Sequence, residues 1–168
     1  MMELQDIWND GNLPTELKMK LVKIMIWSVL LYGLEGWTLT KADENRVLAA
    51  EICLGRRMMN ISWKEKRLYR SILEELGVKR QLLGEIVNRM LTYLGHILRG
   101  SGSALTLQII EGKVEGKRKA GRQKKQWYDN IKEWTGLSLA QAKRLAQNRT
   151  TCKEEIRRCV KLVDNRQY

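Results

Sequence analysis

The sequence predicts a mainly α-helical protein with about six or seven helices, in two groups joined by a Gly-rich basic loop or short hairpin. Helix-forming Leu, Ala, Glu, Lys, Arg and Gln are abundant in the 168 residues, whereas alternating runs of β-branched residues are scarce. Apolar residues make up 43% of the chain, which is enough for a core at this length. Because Phe is absent, the large core positions fall to six Trp and seven Met.

The first helical group is predicted over residues 1–100, and its first strong helix opens at Pro14-Thr15. Thr15 is suited to be the N-cap, and apolar residues recur behind it at three- and four-residue steps until Tyr32-Gly33. The second half of this helix is apolar nearly all round. We therefore expect it to be buried centrally.

A second helix is predicted behind a capping box that runs from Thr40 to Asp43. Its apolar stripe consists of Val47, Ala50, Leu54, Met58 and Ile61. The spacing of apolar residues also predicts a short helix over residues 66–76, which Gly77 ends as a left-handed cap.

A longer helix is predicted from about Arg80 to Arg99. Gly84 and Gly95 each weaken an isolated helix by about 1 kcal/mol relative to Ala, so we expect close packing or a bend there. The run from Gly100 to Ser103 predicts a loop and a domain boundary. The core-facing residues of this helix are Leu83, Val87, Met90, Leu94, Ile97 and Leu98.

Residues 101–126 are predicted to be a basic, Gly-rich connector, and residues 127–168 a small C-terminal helical subdomain. Gly136 is expected to end the first helix of this subdomain, and capping boxes that start at Ser138 and Thr151 open the next two. The three predicted helices are Trp127–Trp134, Leu139–Gln147 and Cys152–Val163.

The connector carries the strongest clue to function. Between Lys113 and Lys125 lie seven basic residues and one acid, Glu115, a net charge of 7 − 1 = +6. Such a run repels itself, and a polyanion is the partner that compensates it. Glycines let the backbone approach a strand while Lys and Arg neutralise phosphates, although a solvated linker or a nuclear-localisation signal is also compatible. The predicted phosphate-binding residues are Lys113, Lys117, Arg118, Lys119, Arg122, Lys124 and Lys125.

The positive charge of the whole chain is concentrated in the half that contains this basic run. Residues 1–75 hold eleven basic and eleven acidic residues. The rest hold 31 − 11 = 20 basic and 19 − 11 = 8 acidic residues, so the formal +12 lies entirely in residues 76–168. This asymmetry favours nucleic acid as a partner. A membrane surface is the weaker reading, because no amphipathic helix with a wide apolar face adjoins the basic run.

Three aromatic residues follow the basic run directly. Trp127, Ile131 and Trp134 recur at steps of four and three, so the two tryptophans are expected to be core anchors on one helix face. Tyr128 lies off that stripe and is a candidate for stacking on a base. Trp27, Trp37 and Trp63 are expected to be hydrophobic anchors of the first helical group.

No catalytic or metal-binding motif accompanies these features. The three cysteines, Cys53, Cys152 and Cys159, lack zinc-site spacing and are expected to be free buried thiols. His96 is expected to be a packing or surface histidine. We therefore expect no metal and no cofactor. With no signal peptide, and with the apolar stretch Ile24–Tyr32 too short to cross a bilayer, a nuclear or cytoplasmic, non-secreted protein is expected.

Five strings of the sequence occur in an order that is characteristic of one family. The chain, from about Trp8 to Arg149, resembles the C-terminal part of the endonuclease–reverse transcriptase polyprotein of non-LTR (LINE-type) retrotransposons. The strings are SVLLYGLEGWTLTK (Ser28–Lys41), RRMMNISWKEK (Arg56–Lys66), GVKRQLL (Gly77–Leu83), YLGHILRG (Tyr93–Gly100) and the stretch Glu111–Arg149.

The resemblance implies a thumb-like helical domain over residues 1–100 and a basic segment that contacts template RNA, an RNA–DNA hybrid or target DNA. Arg56-Arg57, with Lys64, Lys66 and Arg67, would line a duplex-facing thumb surface, and the family's palm domain is a further implied partner. The family's catalytic aspartates are missing: the five aspartates here are never adjacent, and the endonuclease is absent. We therefore expect no enzymatic activity from this chain alone.

A second interpretation remains beside this one. The chain is then a degenerate or exapted helical protein-interaction module without a nucleic-acid function. A third outcome is that the apolar stretch Lys23–Leu31 needs a palm domain to cover it before the chain folds.

Overall fold

A computed structural model describes residues 7–8, 10, 12–68, 71–72, 81–101, 104–112, 121 and 124–165. Within these ranges the chain forms seven α-helices of seven or more residues and no strand, so the predicted mainly α-helical fold class is confirmed. The helices are α1 (Thr15–Leu21), α2 (Lys41–Met58), α3 (Leu82–His96), α4 (Ala104–Glu111), α5 (Trp127–Thr135), α6 (Leu139–Gln147) and α7 (Arg149–Asp164).

The chain divides into two compact units. The N-terminal unit comprises Met1–Tyr32 and Ala42–Leu83, and the C-terminal unit comprises Gly33–Lys41 and Gly84–Tyr168. The short segment Gly33–Lys41 therefore belongs to the C-terminal unit, although in the sequence it connects two helical regions of the N-terminal unit. The predicted division at residues 100 and 126 stays a prediction, because residues 102–103, 113–120 and 122–123 of the connector lie outside the described residues.

In the N-terminal unit, α1 continues into a π-helical stretch, Val22–Trp27, and one further α-helical turn, Ser28–Leu30. The expectation of central burial for this region was wrong, because Ile24 and Val29 are 70% and 77% exposed. The buried residues are Val22, Trp27 and Leu31, which are five and four positions apart. A five-residue step matches the wider π-helical turn. One face of this helical stretch is therefore buried, and the other is exposed to solvent.

Helix α2 buries a stripe that begins at Glu44 and ends at Met58. Leu54 and Met58 are buried as predicted, whereas Val47 and Ala50 are only half-buried. The buried Glu51 has a structural role: its Oε1 accepts hydrogen bonds from the backbone N–H groups of Gln81 and Leu82, at 2.9 and 3.1 Å. Free N–H groups at the start of a helix are matched here by a carboxylate.

Two of the three tryptophans predicted to anchor the first helical group are exposed. Trp27 is buried, but Trp37 and Trp63 are 66% and 82% exposed, so the prediction was wrong for both. Arg56, which was predicted to line a thumb surface, is buried because its guanidinium binds the backbone of the loop that follows α2.

The predicted apolar stripe of α3 is confirmed except at its end, since Leu83, Val87, Met90, Leu94 and Ile97 are buried whereas Leu98 is half-buried. Its glycines are sites of close packing, as expected. A Cβ at Gly84 would overlap the carboxylate of Asp164, and one at Gly95 would lie 3.2 Å from Nη1 of Arg99 and 3.5 Å from Sγ of Cys152. After α3, a π-helical stretch, Ile97–Ser101, contains Gly100 in a left-handed conformation, with φ 88°.

The helices after the connector follow the prediction closely. Helix α5 ends at Gly136, which has φ 71°, and α6 has the predicted bounds with a reciprocal capping box between Ser138 and Gln141. The start of α7 was predicted wrongly. The side chain of Asn148 accepts hydrogen bonds from the backbone N–H groups of Thr150 and Thr151, so the helix begins three residues before Cys152.

Helix α4 was not predicted. Leu105 and Ile109 on this helix are 61% and 57% exposed, whereas Thr106, Leu107, Ile110 and Glu111 on its other face are half-buried. An ion pair between Glu111 at its end and Lys143 on α6 connects it to the rest of the C-terminal unit.

Candidate nucleic-acid interface

The basic segment Lys113–Lys125 lies between α4 and α5. Gly112, with φ 70°, ends α4 just before it. Lys113, Lys117, Arg118, Lys119 and Arg122 lie outside the described residues, and their role stays a prediction. Of the predicted phosphate-binding residues, the structure places Lys124 and Lys125 at the start of α5, where Lys124 is exposed and Lys125 half-buried.

The C-terminal end of the basic segment is firmly attached to α5. Nζ of Lys125 lies 2.9 Å from Oε2 of Glu133, and Nζ of Lys41 lies 2.8 Å from Oε1 of the same carboxylate. The hydrogen bonds from Lys41 and Lys125 lower the pKa of Glu133 to about 2. Glu133 therefore remains ionised over the whole physiological pH range and fixes both lysines.

Helix α5 begins with a capping box directly after the basic segment. The backbone N–H of Gln126 donates to Oδ2 of Asp129 at 2.6 Å. In return, the side chain of Gln126 accepts a hydrogen bond from the backbone N–H of Asp129. Such reciprocal bonds satisfy the free N–H groups at a helix start. The direction in which the chain enters α5 is thereby fixed.

The segment Gly33–Lys41 runs along α5 and is bound at its centre by a buried asparagine. Asn130 is fully buried, its Nδ2 donates to the carbonyl of Leu39 at 2.8 Å, and its Oδ1 accepts from the N–H of Leu39 at 3.0 Å. One side-chain amide thus satisfies both backbone groups of a buried residue that belongs to no strand or helix.

A tryptophan binds the same segment nearer its start. Nε1 of Trp127 donates to the carbonyl of Glu35 at 2.8 Å, and the ring of Tyr93 meets the Trp127 ring edge-on, with centroids 6.2 Å apart. Ile131 and Trp134 are buried, in agreement with the predicted core face of α5, whereas Trp127 is only half-buried.

Sequence analysis did not find the roles of Asn130 and Glu133. With Trp127 they occupy every third position on α5, at 127, 130 and 133, and they bind residues 35, 39 and 41. The signal available in the sequence was this three-residue spacing of hydrogen-bonding side chains, which places them on neighbouring positions of the helix surface.

Tyr128, the candidate for base stacking, is half-buried. Its hydroxyl donates to the carbonyl of Leu137 at 3.3 Å, and burial raises the pKa of the phenol. The hydrogen bond fixes the ring on the side of α5 towards the α5–α6 turn. Stacking on a base stays a prediction.

An open groove of about 510 Å³ lies beside α3 in the C-terminal unit. Arg89 in the groove forms ion pairs with Glu85, at 3.1 Å, and with Glu35, at 3.7 Å. These two acids leave the groove without excess positive charge. Its lining consists of Glu35, Gly36, Asn88, Arg89, Thr92, Tyr93 and His96. His96 is exposed, in agreement with the surface role expected for it.

Over the described ranges, no group of three or more His, Cys, Asp or Glu side chains is arranged to hold a metal ion. Among the helices that are described, none is both long and apolar enough to cross a membrane. All three cysteines are free thiols; Cys152 and Cys159 are buried as expected, whereas Cys53 is half-buried.

Comparison with known proteins gives one informative relative. The chain is 27% identical over 128 residues to an uncharacterized transposon-derived protein of Caenorhabditis elegans. The match covers 74% of this chain and 46% of the relative, so the chain spans less than half of the relative's length. No protein-family profile and no solved structure matches the chain.

Proposed function

We propose that this chain is a non-catalytic, nucleic-acid-binding fragment of transposon origin, derived from the C-terminal part of a LINE-type reverse transcriptase. Its basic segment contacts phosphates of template RNA, of an RNA–DNA hybrid or of target DNA. The chain itself performs no polymerase or nuclease reaction. A nuclear or cytoplasmic location and a palm domain as intramolecular partner belong to the same proposal.

The observation that carries the proposal is the attachment of the basic segment at both ends. The ion pair between Glu111 and Lys143 ties the helix before it to α6, and the ion pair between Lys125 and Glu133 ties its end to α5. Between these points lies a net charge of +6 over Lys113–Lys125. A loop with fixed ends loses less conformational entropy on binding than a free linker, so its phosphate contacts are more effective.

Two further observations support the proposed origin. The relative from Caenorhabditis elegans is described as transposon-derived. Two of the strings that carry the retrotransposon resemblance, Ser28–Lys41 and Glu111–Arg149, also contact each other through the pairs Leu39–Asn130 and Glu35–Trp127. The contacting parts of the two strings therefore belong to one folded unit.

The test compares two variants that lose the same charge. The first, K117Q/R118Q/K119Q/R122Q, neutralises the basic segment. The second, R149Q/K153Q/R157Q/K161Q, neutralises four exposed residues at four-residue steps on α7. Fluorescence anisotropy with a labelled single strand, a duplex and an RNA–DNA hybrid measures the affinity of each. We expect the first variant to lose at least tenfold more affinity than the second. Equal losses of affinity in the two variants would show that binding depends only on the net charge of the chain. If the parent chain binds none of the three nucleic acids, the proposal is overturned.

The alternative of a protein-interaction module is supported by one specific observation. Ile24 and Val29 are exposed on the helical stretch after α1, where an apolar surface is available to a protein partner. Pull-downs with and without nuclease treatment separate the two functions. Partners that persist after nuclease treatment and are lost in an I24D/V29D variant favour the alternative.

A further inference from the structure

The loop that follows α2 presents an exposed tryptophan in the N-terminal unit. Trp63 is 82% exposed, more than the other large apolar side chains of this loop that the structure describes. Leaving an indole in water forgoes the free energy of burial that large aromatic residues normally gain. A single exposed aromatic residue is common on protein surfaces, so its surroundings decide whether it has a role.

The loop has a defined conformation that depends on one buried arginine. Nη1 of Arg56 donates to the carbonyls of Ser62 and Glu65, both at 3.2 Å, and Nη2 donates to the carbonyl of Arg67 at 3.0 Å. Asn60 has a left-handed conformation, with φ 55°, where the chain leaves α2. Three hydrogen bonds from one guanidinium hold the backbone on both sides of Trp63.

The same guanidinium supports the tryptophan ring. The Cζ atom of Arg56 lies 5.2 Å from the centroid of the Trp63 ring, which is the geometry of a cation–π interaction. The indole is therefore held in place on one side and open to solvent on the other. A fixed, exposed ring avoids the entropy cost of ordering a side chain on binding.

The last turn of α2 and the loop that follows it are together strongly basic. Between Arg56 and Arg67 there are five basic residues and one acid, a net charge of 5 − 1 = +4. Residues 1–75 as a whole carry no net charge, so this charge is a local concentration. Lys64 and Lys66 are exposed beside the tryptophan.

We infer that Trp63 is a stacking platform for a base of single-stranded nucleic acid, with Lys64 and Lys66 contacting the neighbouring phosphates. Aromatic rings interleaved with positive charge are the arrangement by which proteins bind single strands without sequence preference. A duplex covers both faces of its internal bases, so a fixed indole on the surface suits an unpaired base. The choice of nucleic acid rests on the proposed function, but the site uses other residues than the basic segment Lys113–Lys125.

The test uses a fluorescein-labelled deoxythymidine oligonucleotide and an abasic oligonucleotide of equal length. Trp63→Ala is compared with Trp37→Ala, which removes another exposed tryptophan whose direct neighbours, Gly36 and Thr38, are uncharged. We expect Trp63→Ala to weaken binding of the thymidine strand about 5- to 100-fold, because a stacked base contributes in that range. The abasic strand should bind both variants and the parent equally, and Trp63→Phe should retain most of the affinity.

Thermal unfolding checks that each variant keeps its fold. Equal affinities of Trp63→Ala and Trp37→Ala for the thymidine strand would overturn the inference, as would an equal loss on the abasic strand. Either result would leave the loop as a surface for a protein partner or for solvent.

The same titrations with K117Q/R118Q/K119Q/R122Q distinguish the two proposals. If this variant loses binding and Trp63→Ala does not, the proposed function stands and the Trp63 site falls. If only Trp63→Ala loses binding, the Trp63 site stands and the assignment to the basic segment falls. If the parent chain binds neither oligonucleotide, both proposals fall.

Discussion

Asn130 on α5 and Leu39 in the segment Gly33–Lys41 form two reciprocal hydrogen bonds, although 91 residues separate them in the chain. Both residues are buried, so water does not replace these bonds when one partner is lost. This pair is the centre of the contact between two sequence strings that carry the retrotransposon resemblance. The integrity of the C-terminal unit therefore depends on it.

Replacing Asn130 by alanine should destabilise the chain by roughly 2–4 kcal/mol, because the N–H and the carbonyl of Leu39 are both left buried without a partner. Urea unfolding measures the change. Asn88→Ala, at a half-buried position on α3, is the control and should cost much less. A loss at Asn130 no larger than at Asn88 would contradict the assigned role.

Asn130→Asp gives a more specific test. An ionised aspartate still accepts from the N–H of Leu39 but cannot donate to its carbonyl. The variant should therefore be less stable than the parent at neutral pH and recover part of the loss in acid, where the protonated carboxyl donates again. A difference from the parent that does not change with pH would argue against the reciprocal bonds.

The ion pairs of Glu133 should make a contribution to stability that depends on pH. Its pKa is lowered to about 2 by Lys41 and Lys125, so its ion pairs stabilise the folded state above the usual carboxyl range and lose this effect as pH falls through about 2. Glu133→Gln should lower the urea midpoint most at pH 5 and above, and the difference from the parent should vanish towards pH 2. Glu154→Gln, at an exposed site on α7, serves as the control. A constant difference at all pH values would contradict the ion pairs.

Gly84 should be coupled to Asp164. A Cβ at Gly84 overlaps the Asp164 carboxylate, which opposes the gain in helix propensity of about 1 kcal/mol that alanine otherwise brings. Gly84→Ala should be more favourable in an Asp164→Ala background than in the parent. Additive free energies in this double-mutant cycle would show that the two positions do not interact.

The cysteines should differ in reactivity. Burial, together with the negative charge of the neighbouring Glu155, raises the pKa of Cys159 to about 11, so the thiolate is scarce at neutral pH. With a thiol reagent at pH 8, we expect Cys53, which is half-buried, to react first and Cys159 only when the chain unfolds. A Cys53→Ala variant removes the fast phase. Rapid reaction of Cys159 in the folded chain would contradict its burial.

The local features of the fold were predictable from the sequence. The bounds of α6, the stop at Gly136 and the apolar stripe of α3 follow from capping chemistry and helical spacing. The N-terminus of α7 was less predictable, since Asn148 and Thr151 are both good N-caps and the sequence does not decide between them.

Features that depend on distant contacts were not predictable. The assignment of Gly33–Lys41 to the C-terminal unit rests on side-chain bonds to backbone groups about 90 residues away, as in the pair Leu39–Asn130. For the candidate site, composition located the basic segment, but it did not find the attachment of Lys125 to Glu133. Trp63 was placed in the core because large aromatic residues usually are, and the support from Arg56 that keeps it outside is a matter of loop geometry.

The salt dependence of nucleic-acid binding tests the central claim most directly. Each phosphate contact on a single strand contributes about 0.7 to the slope of log K against log salt concentration. If Lys117, Arg118, Lys119 and Arg122 each neutralise a phosphate, the quadruple glutamine variant should bind a single strand with a slope shallower than that of the parent by about 3. The α7 variant R149Q/K153Q/R157Q/K161Q should keep the parent's slope. Identical slopes for the parent and the basic-segment variant would contradict the account.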